Sequence, residues 1–236
     1  MNTKPSEQPI SETNVNDSSM PKKDRISLVI STLSLAVSLG TLALNRMDVS
    51  KAESKKAAIA SFQAYELGDA IGRTFVSQAM TTVGDKQAID RFKEQLATQA
   101  RQSVQPIADR LDLRIDVGAK LAAYDPNDEV FGSRVVEDLR RDVQAAHGNS
   151  AARKLMLGYQ LFYLYANTFV VQKEYPQDKS KLAAVYGPRA KAVNDELASM
   201  EISMRLPNEF DSFDTVLSSL MSATKAVRAK LAADRG

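Results

Sequence analysis

The chain has 236 residues, of which 44% are hydrophobic and 25% charged, so it is long enough to bury one sizeable core. Its 31 basic and 29 acidic residues nearly balance, which gives no sign of the basic surface that nucleic-acid binding requires. The lack of cysteine excludes disulfides and thiol chemistry, and a single histidine excludes a multi-histidine zinc site.

The N-terminal region predicts a membrane tether. Residues 1–25 are polar and predict a disordered tail, and the uncharged segment ISLVISTLSLAVSLGTLAL follows. As a helix, its nineteen residues would span about 28 Å, the hydrocarbon thickness of a bilayer. We expect a transmembrane helix at 26–45 and a soluble α-helical domain at 46–236. A cleaved signal peptide would have a shorter apolar stretch, and an interfacial helix would have a basic polar face.

One side of this expected helix carries small polar residues at spacings of three and four. In lipid, such a stripe lets a second helix approach and hydrogen-bond across the contact, which predicts self-association. The alternative is that the hydroxyls bond to carbonyls of their own helix. The stripe consists of Ser27, Ser31, Ser34, Ser38, Thr41 and Asn45.

Basic residues lie on both sides of the apolar segment. Those after it are Arg46, Lys51, Lys55 and Lys56, which would contact anionic lipid headgroups if they lie on the cytoplasmic side, or else form a solvated helix start. Lys22, Lys23 and Arg25 precede the segment, so the positive-inside rule hardly discriminates between orientations. The polar N-terminus with its basic end favours an extracytoplasmic, periplasmic domain over a cytoplasmic one.

The segment 48–82 lacks proline and predicts a long helix, which could continue directly from the tether. Gly68 and Gly72 lie on its small-residue face, where they predict either close packing of another helix or a bend. Glu66 and Asp69 form a carboxylate pair with Arg73 one turn on, and the spacing is typical of a solvated, salt-bridged face.

Further helices follow along the chain. Pro106 should kink or split the helix that begins near 89, and the alternating residues 111–117 favour a connector over an isolated strand. The next helix should end at His147–Gly148, where the histidine would interact favourably with the negative end of the helix dipole. Gly187–Pro188 should interrupt the segment 181–203. Asn208 is the expected N-cap of the last helix, which is acidic at its start and basic at its end.

The stretch 155–171 is the most hydrophobic part of the predicted domain. Its tyrosines, with Gln160 and Asn167, favour a buried central helix over a second membrane span. Tyr159, Tyr163 and Asn167 share one face and form a candidate ligand pocket, although core helices use the same residues for buried hydrogen bonds.

The sequence predicts an all-α fold of five or six helices behind a single transmembrane helix. No motif indicates catalysis, a cofactor or a metal, so we expect a non-enzymatic, membrane-anchored interaction or scaffold protein. Its partners would be the lipid bilayer and a protein partner or a second copy of the chain, with no nucleic acid. The alternatives are a ligand-binding sensor on a membrane anchor and a membrane-active effector, such as a toxin or defence protein, that inserts 155–171.

Overall fold

The computed structural model describes residues 46, 48–75, 86–123, 133–174, 179–207 and 212–235. The helices in these ranges are α1 (48–75), α2 (Lys86–Ser103), α3 (Gln105–Arg110), α4 (Val117–Ala122), α5 (Ser133–Glu174), α6 (Lys179–Ser199) and α7 (Phe213–Ala233). No strand occurs in these ranges, so the predicted all-α class is confirmed, and two of these seven helices, α3 and α4, have only six residues. The chain divides into two units, Met1–Ser50 and Lys51–Gly236, and α2 to α7 lie in the second.

Pro106 separates α2 from α3, so the helix predicted to begin near residue 89 is split. It lies in the first turn of α3, where the hydrogen bond that proline lacks would be missing in any case. The segment 111–116 is a connector, as predicted. Gln105 fixes it, since its side-chain amide donates to the Ile115 carbonyl at 2.9 Å and accepts from the Val117 N–H at 2.8 Å. Asp116 then caps α4 by accepting from the Ala119 N–H at 2.8 Å.

α5 consists of two helical stretches that meet at Gly148. This residue has φ 81° and ψ 177°, a conformation that only glycine adopts without strain. The preceding residue, His147, places its Nε2 atom 2.6 Å from the Leu111 carbonyl oxygen. The predicted helix end at His147–Gly148 is therefore confirmed, and the histidine links it to the connector after α3.

α6 runs through Gly187–Pro188 without ending, so the predicted interruption is wrong. Proline disfavours the helical conformation in the residue before it because its ring meets that residue's N–H and Cβ, and Gly187 removes the Cβ part of this clash. The chain turns after Ser199 instead, through Glu201 at φ 60°. The Asn194 side chain holds the returning segment, because its amide bonds the N–H and the carbonyl of Leu206 at 2.7 and 3.0 Å.

The N-cap of α7 is Ser212, so the prediction of Asn208 is wrong. The Ser212 backbone is extended, and its hydroxyl accepts from the Thr215 N–H at 3.2 Å. Asp214 lies in the first turn and Lys230 in the last, which agrees with the predicted charge distribution along the helix dipole.

α1 and α5 cross with their backbones in contact. A Cβ at Gly68 would lie 1.9 Å from the Leu155 carbonyl oxygen, and one at Gly158 would lie 2.4 Å from the Tyr65 carbonyl oxygen. A Cβ at Gly72 would lie 2.6 Å from the Cβ of Phe162. Close helix packing, and not a bend, thus explains the glycines of the small-residue face.

The two crossing helices contribute to two apolar clusters. The cluster shared with α2, α3 and α4 includes Leu67, Ile71, Leu96, Leu111, Leu121, Leu139 and Leu155. The cluster shared with α6 and α7 includes Leu157, Leu161, Leu164, Tyr186, Val193, Leu197, Leu220 and Val227. In the predicted central helix, the side chains of residues 155–168 are therefore buried or half-buried, as predicted, and Phe169 is exposed. Among the described residues, no helix combines the length and the apolarity that a membrane crossing requires.

Several predictions concern residues outside the described ranges. They are the tail at 1–25, the transmembrane helix at 26–45 with its polar stripe (Ser27, Ser31, Ser34, Ser38, Thr41 and Asn45), and the extension of the first long helix to residue 82.

Candidate functional site

Asp69 on α1 is a buried carboxylate held between two arginines. Its side chain is 5% exposed, and its Oδ2 atom accepts from Arg228 of α7 at 2.6 Å and from the Nε of Arg73 at 3.1 Å. The predicted solvated face is therefore wrong for Asp69, because burial leaves the carboxylate dependent on these donors. Glu66 instead lies 3.7 Å from Arg110 near the surface.

Tyr65 lies one turn before Asp69 and is fully buried. Burial raises the pKa of Tyr65 far above its usual value, and the Asp69 carboxylate raises it further, whereas the guanidinium groups of Arg228 and Arg73 oppose the rise. The phenol therefore stays neutral throughout the physiological range, and Asp69 is the negative charge that orients the two arginines.

A pocket of about 370 Å³ opens above this ion cluster, between α1, α5 and α7. We call it the α1–α5–α7 pocket. Its apolar part is formed by two buried leucines, two half-buried aromatic rings and one exposed methionine: Leu161, Leu220, Phe162, Tyr165 and Met221. Its polar part is formed by Arg73, Thr224, Lys225 and Arg228. The rings of Phe162 and Tyr165 are tilted, with centroids 6.0 Å apart.

The charge of this pocket is positive. Three cations line it, no carboxylate does, and the buried Asp69 neutralises only one of them. The Arg73 guanidinium lies 5.4 Å from the Phe162 ring centroid, so a cation–π contact and an ion pair together restrict it. Such an arrangement has the chemistry to hold a negative group beside an apolar one.

A second pocket of about 350 Å³ lies between α5 and α6, close to the Gly148 break. Its lining includes Glu196, which is 8% exposed and pairs with both Arg153 and Lys154. The Arg153 Nε donates to this carboxylate at 2.7 Å. Each charged side chain in this lining therefore has an ion-pair partner within the protein, Arg153 with Glu196 and Arg140 with Glu137.

The predicted tyrosine stripe lies in the interior. Tyr159 and Tyr163 are 2% and 5% exposed, and the Arg189 guanidinium stacks over the Tyr163 ring at 3.8 Å. Asn167 donates to the Tyr163 carbonyl of its own helix at 3.2 Å. None of the three lines either pocket described above.

The remaining candidates are the cations predicted to contact lipid headgroups. The side chains of Arg46, Lys51, Lys55 and Lys56 are all exposed, as contact with headgroups would require. Within the described ranges, no three acidic or histidine side chains are close enough to hold a metal ion.

The sequence did not identify Lys225 and Arg228 as site residues. It predicted them only as part of the basic end of the last helix. Lys225 is four residues from Met221, Arg228 is four from Thr224 and three from Lys225, and these spacings place all four along one helix face. That mixed face was the available signal, but nothing in the sequence shows which helix it meets.

Two buried phenols make stability sensitive to alkaline pH. Burial raises the pKa of Tyr186 from 10.0 to about 12, and the pKa of Tyr65 is raised as well. Folded chains thus keep phenol protons that unfolded chains lose, so the contribution of the phenols to stability is constant below about pH 10 and falls between about pH 10 and pH 12. Urea unfolding at a series of pH values should show this fall.

The matched control is Tyr186→Phe, whose unfolding free energy should decline less steeply over the same range. The comparison separates the phenol from the lysines, which titrate at similar pH. An unchanged slope in this variant would contradict the assignment.

The fold and the site thus define a small all-α domain with a cationic pocket over an apolar floor. The chain matches no protein-family model, and no curated protein or solved structure shows significant similarity to it. Its function is inferred from its own residues.

Proposed function

We propose that this chain is a membrane-tethered, non-enzymatic interaction or scaffold protein, with residues 26–45 as the tether and the helical domain as the interacting part. The observation that carries the proposal is the uncharged run at 26–44, whose length matches the bilayer core. Lys51, Lys55 and Lys56 are exposed just beyond the tether, and they would gain from anionic headgroups if the domain faced the cytoplasmic leaflet. The preferred location of the domain is extracytoplasmic.

Self-association through the polar stripe is the second part of this proposal. Seen along a helix, the stripe residues fall within a narrow arc, and small hydroxyl side chains let a second copy approach closely. The scaffold would then display two or more helical domains at one place in the membrane.

The tether is tested by expressing the full chain and washing membranes at alkaline pH. Leu35→Arg plus Leu39→Arg should release the protein into the soluble fraction, because each arginine costs about 2.5–3.5 kcal/mol at the centre of a membrane helix. Val49→Arg is the matched control and should change nothing, since that side chain is exposed in the structure. A wild-type chain found wholly in the soluble fraction would overturn the tether.

Self-association is tested by crosslinking in membranes. Ser34→Leu plus Ser38→Leu should reduce crosslinked dimers, whereas Thr32→Leu, on the opposite side of the helix, should not. A strictly monomeric wild type would contradict the stripe's proposed role.

The second candidate function is ligand binding by the helical domain, as in a sensor. The α1–α5–α7 pocket favours it, because ligand pockets combine an apolar lining with a few placed polar groups, and this one has a suitable volume. The tyrosine stripe that suggested a sensor in the sequence contributes no residue to this pocket.

A further inference from the structure

The α1–α5–α7 pocket has a charge that the protein itself leaves uncompensated. Lys225 is exposed at its rim and forms no ion pair with the described residues, and Arg73 and Arg228 share the single carboxylate of Asp69. The pocket between α5 and α6 differs in this respect, because Glu196 lies in its lining and pairs with neighbouring cations. The α1–α5–α7 pocket therefore favours an anion from solution.

The two arginines are held in place with donors to spare. Each guanidinium has five N–H donors, of which Arg228 directs one and Arg73 two at Asp69. Their side chains are 46% and 52% exposed, so the remaining N–H groups are accessible. A guanidinium already fixed by a buried carboxylate loses less freedom when it binds a second acceptor, and its planar shape suits carboxylate and phosphate oxygens.

The other wall of the pocket is suited to an apolar body. Phe162 and Tyr165 present half-buried rings, Leu161 and Leu220 close the floor, and Met221 is 51% exposed at the rim. An exposed methionine beside aromatic rings adapts its shape to a bound apolar group. A volume of about 370 Å³ lies at the lower end of the range for small-molecule sites, so the body would have the size of one or two rings.

We propose that the α1–α5–α7 pocket binds a small organic anion, in which a carboxylate or phosphate faces Arg73, Lys225 and Arg228 while an apolar body covers Phe162 and Tyr165. This inference rests on the ligand-binding function proposed above and adds the chemical class of the ligand. The anion reaches the pocket either as a free molecule or as the phosphate head of a lipid.

The test uses the full chain in a nonionic detergent and isothermal titration with four probes. These are naphthoate and naphthyl phosphate, neutral naphthalenemethanol, and the cation naphthylmethylammonium, each also titrated into detergent alone. The two anions should bind saturably, at least about tenfold more tightly than the neutral probe, and added salt should weaken them. A further arm with dihexanoyl phosphatidic acid distinguishes the sources, because tighter binding than naphthyl phosphate indicates a lipid and weaker binding a free molecule.

Variants locate the binding at this pocket. Lys225→Gln should weaken naphthyl phosphate about three- to tenfold, and Lys225→Arg should retain binding. Met221→Glu, which adds a negative charge at the exposed rim, should weaken it more than about tenfold. The matched control is Lys191→Gln, at an exposed lysine of α6 paired with Asp195, which should leave binding unchanged. All three positions are exposed, and circular dichroism verifies that each of the four variants folds.

The outcomes separate the two proposals. If the neutral probe binds as tightly as the anions and Lys225→Gln has no effect, ligand binding stands and the anionic class is wrong. If none of the probes binds the folded chain saturably, both the class and the ligand-binding function are overturned. Equal weakening by Lys225→Gln and Lys191→Gln would show a general charge effect and would also overturn the site.

Discussion

Gly68→Ala should destabilise the domain by about 3 kcal/mol or more, which for a chain of this size lowers the melting temperature by roughly 6–12 °C. The new Cβ would stand 1.9 Å from the Leu155 carbonyl oxygen and 2.9 Å from the Tyr159 backbone nitrogen. Both are backbone atoms of α5, so no side-chain rotation relieves the overlap. α1 and α5 must separate, and both apolar clusters lose contacts because both helices contribute to each of them.

The matched control is Gly187→Ala, the same substitution where, apart from its chain neighbours and its own helix backbone, no atom lies within 4 Å of the new Cβ. Its effect should stay within about 1 kcal/mol, because better helix propensity and the restriction imposed by Pro188 oppose each other. Gly68→Ala combined with Gly158→Ala should cost less than the two single changes added, since either one already separates the helices. A Gly68→Ala protein that melts like wild type would show that the two backbones are not in contact.

The sequence predicted features that depend on a residue's own backbone or on its helix face. Pro106 lacks an N–H wherever it lies, and the small-residue face of α1 had to meet something close, so the split after α2 and the tight helix crossing were predictable. The same reasoning about proline gave a wrong prediction at Gly187–Pro188, where α6 continues. Proline inside a helix removes a hydrogen bond and meets the carbonyl four residues earlier, and the missing Cβ of Gly187 removes only one further clash.

The candidate site was not predictable from the sequence, because its charges come from distant segments. Asp69 and Arg228 are 159 residues apart, and local spacing paired Asp69 only with Arg73. On a helix wheel Asp69 resembles a surface acid, and only the packing of α7 against α1 buries it. The same packing converts Lys225 and Arg228 from ordinary C-terminal cations into the polar wall of a pocket.

Replacing both arginines around Asp69 should cost about 3–5 kcal/mol of unfolding free energy, as measured by urea denaturation. In Arg73→Met the carboxylate keeps Arg228, and in Arg228→Met it keeps Arg73, so each single change should cost about 1–2 kcal/mol. In the double variant the buried Asp69 carboxylate loses both ion-pair partners. The double change should therefore exceed the sum of the single changes, while methionine preserves the apolar packing of the arginine stems.

The decisive control adds Asp69→Asn to the double variant. Removing the buried charge together with its partners should recover at least about 2 kcal/mol, although a third residue has been changed, because the cost arises from the unpaired carboxylate and not from the missing arginines. Arg141→Met with Lys191→Met removes two cations from exposed ion pairs and should cost less than about 1 kcal/mol. If the triple variant were no more stable than the double, the two arginines would stabilise the fold through packing, and Asp69 would have no role in holding them for a ligand.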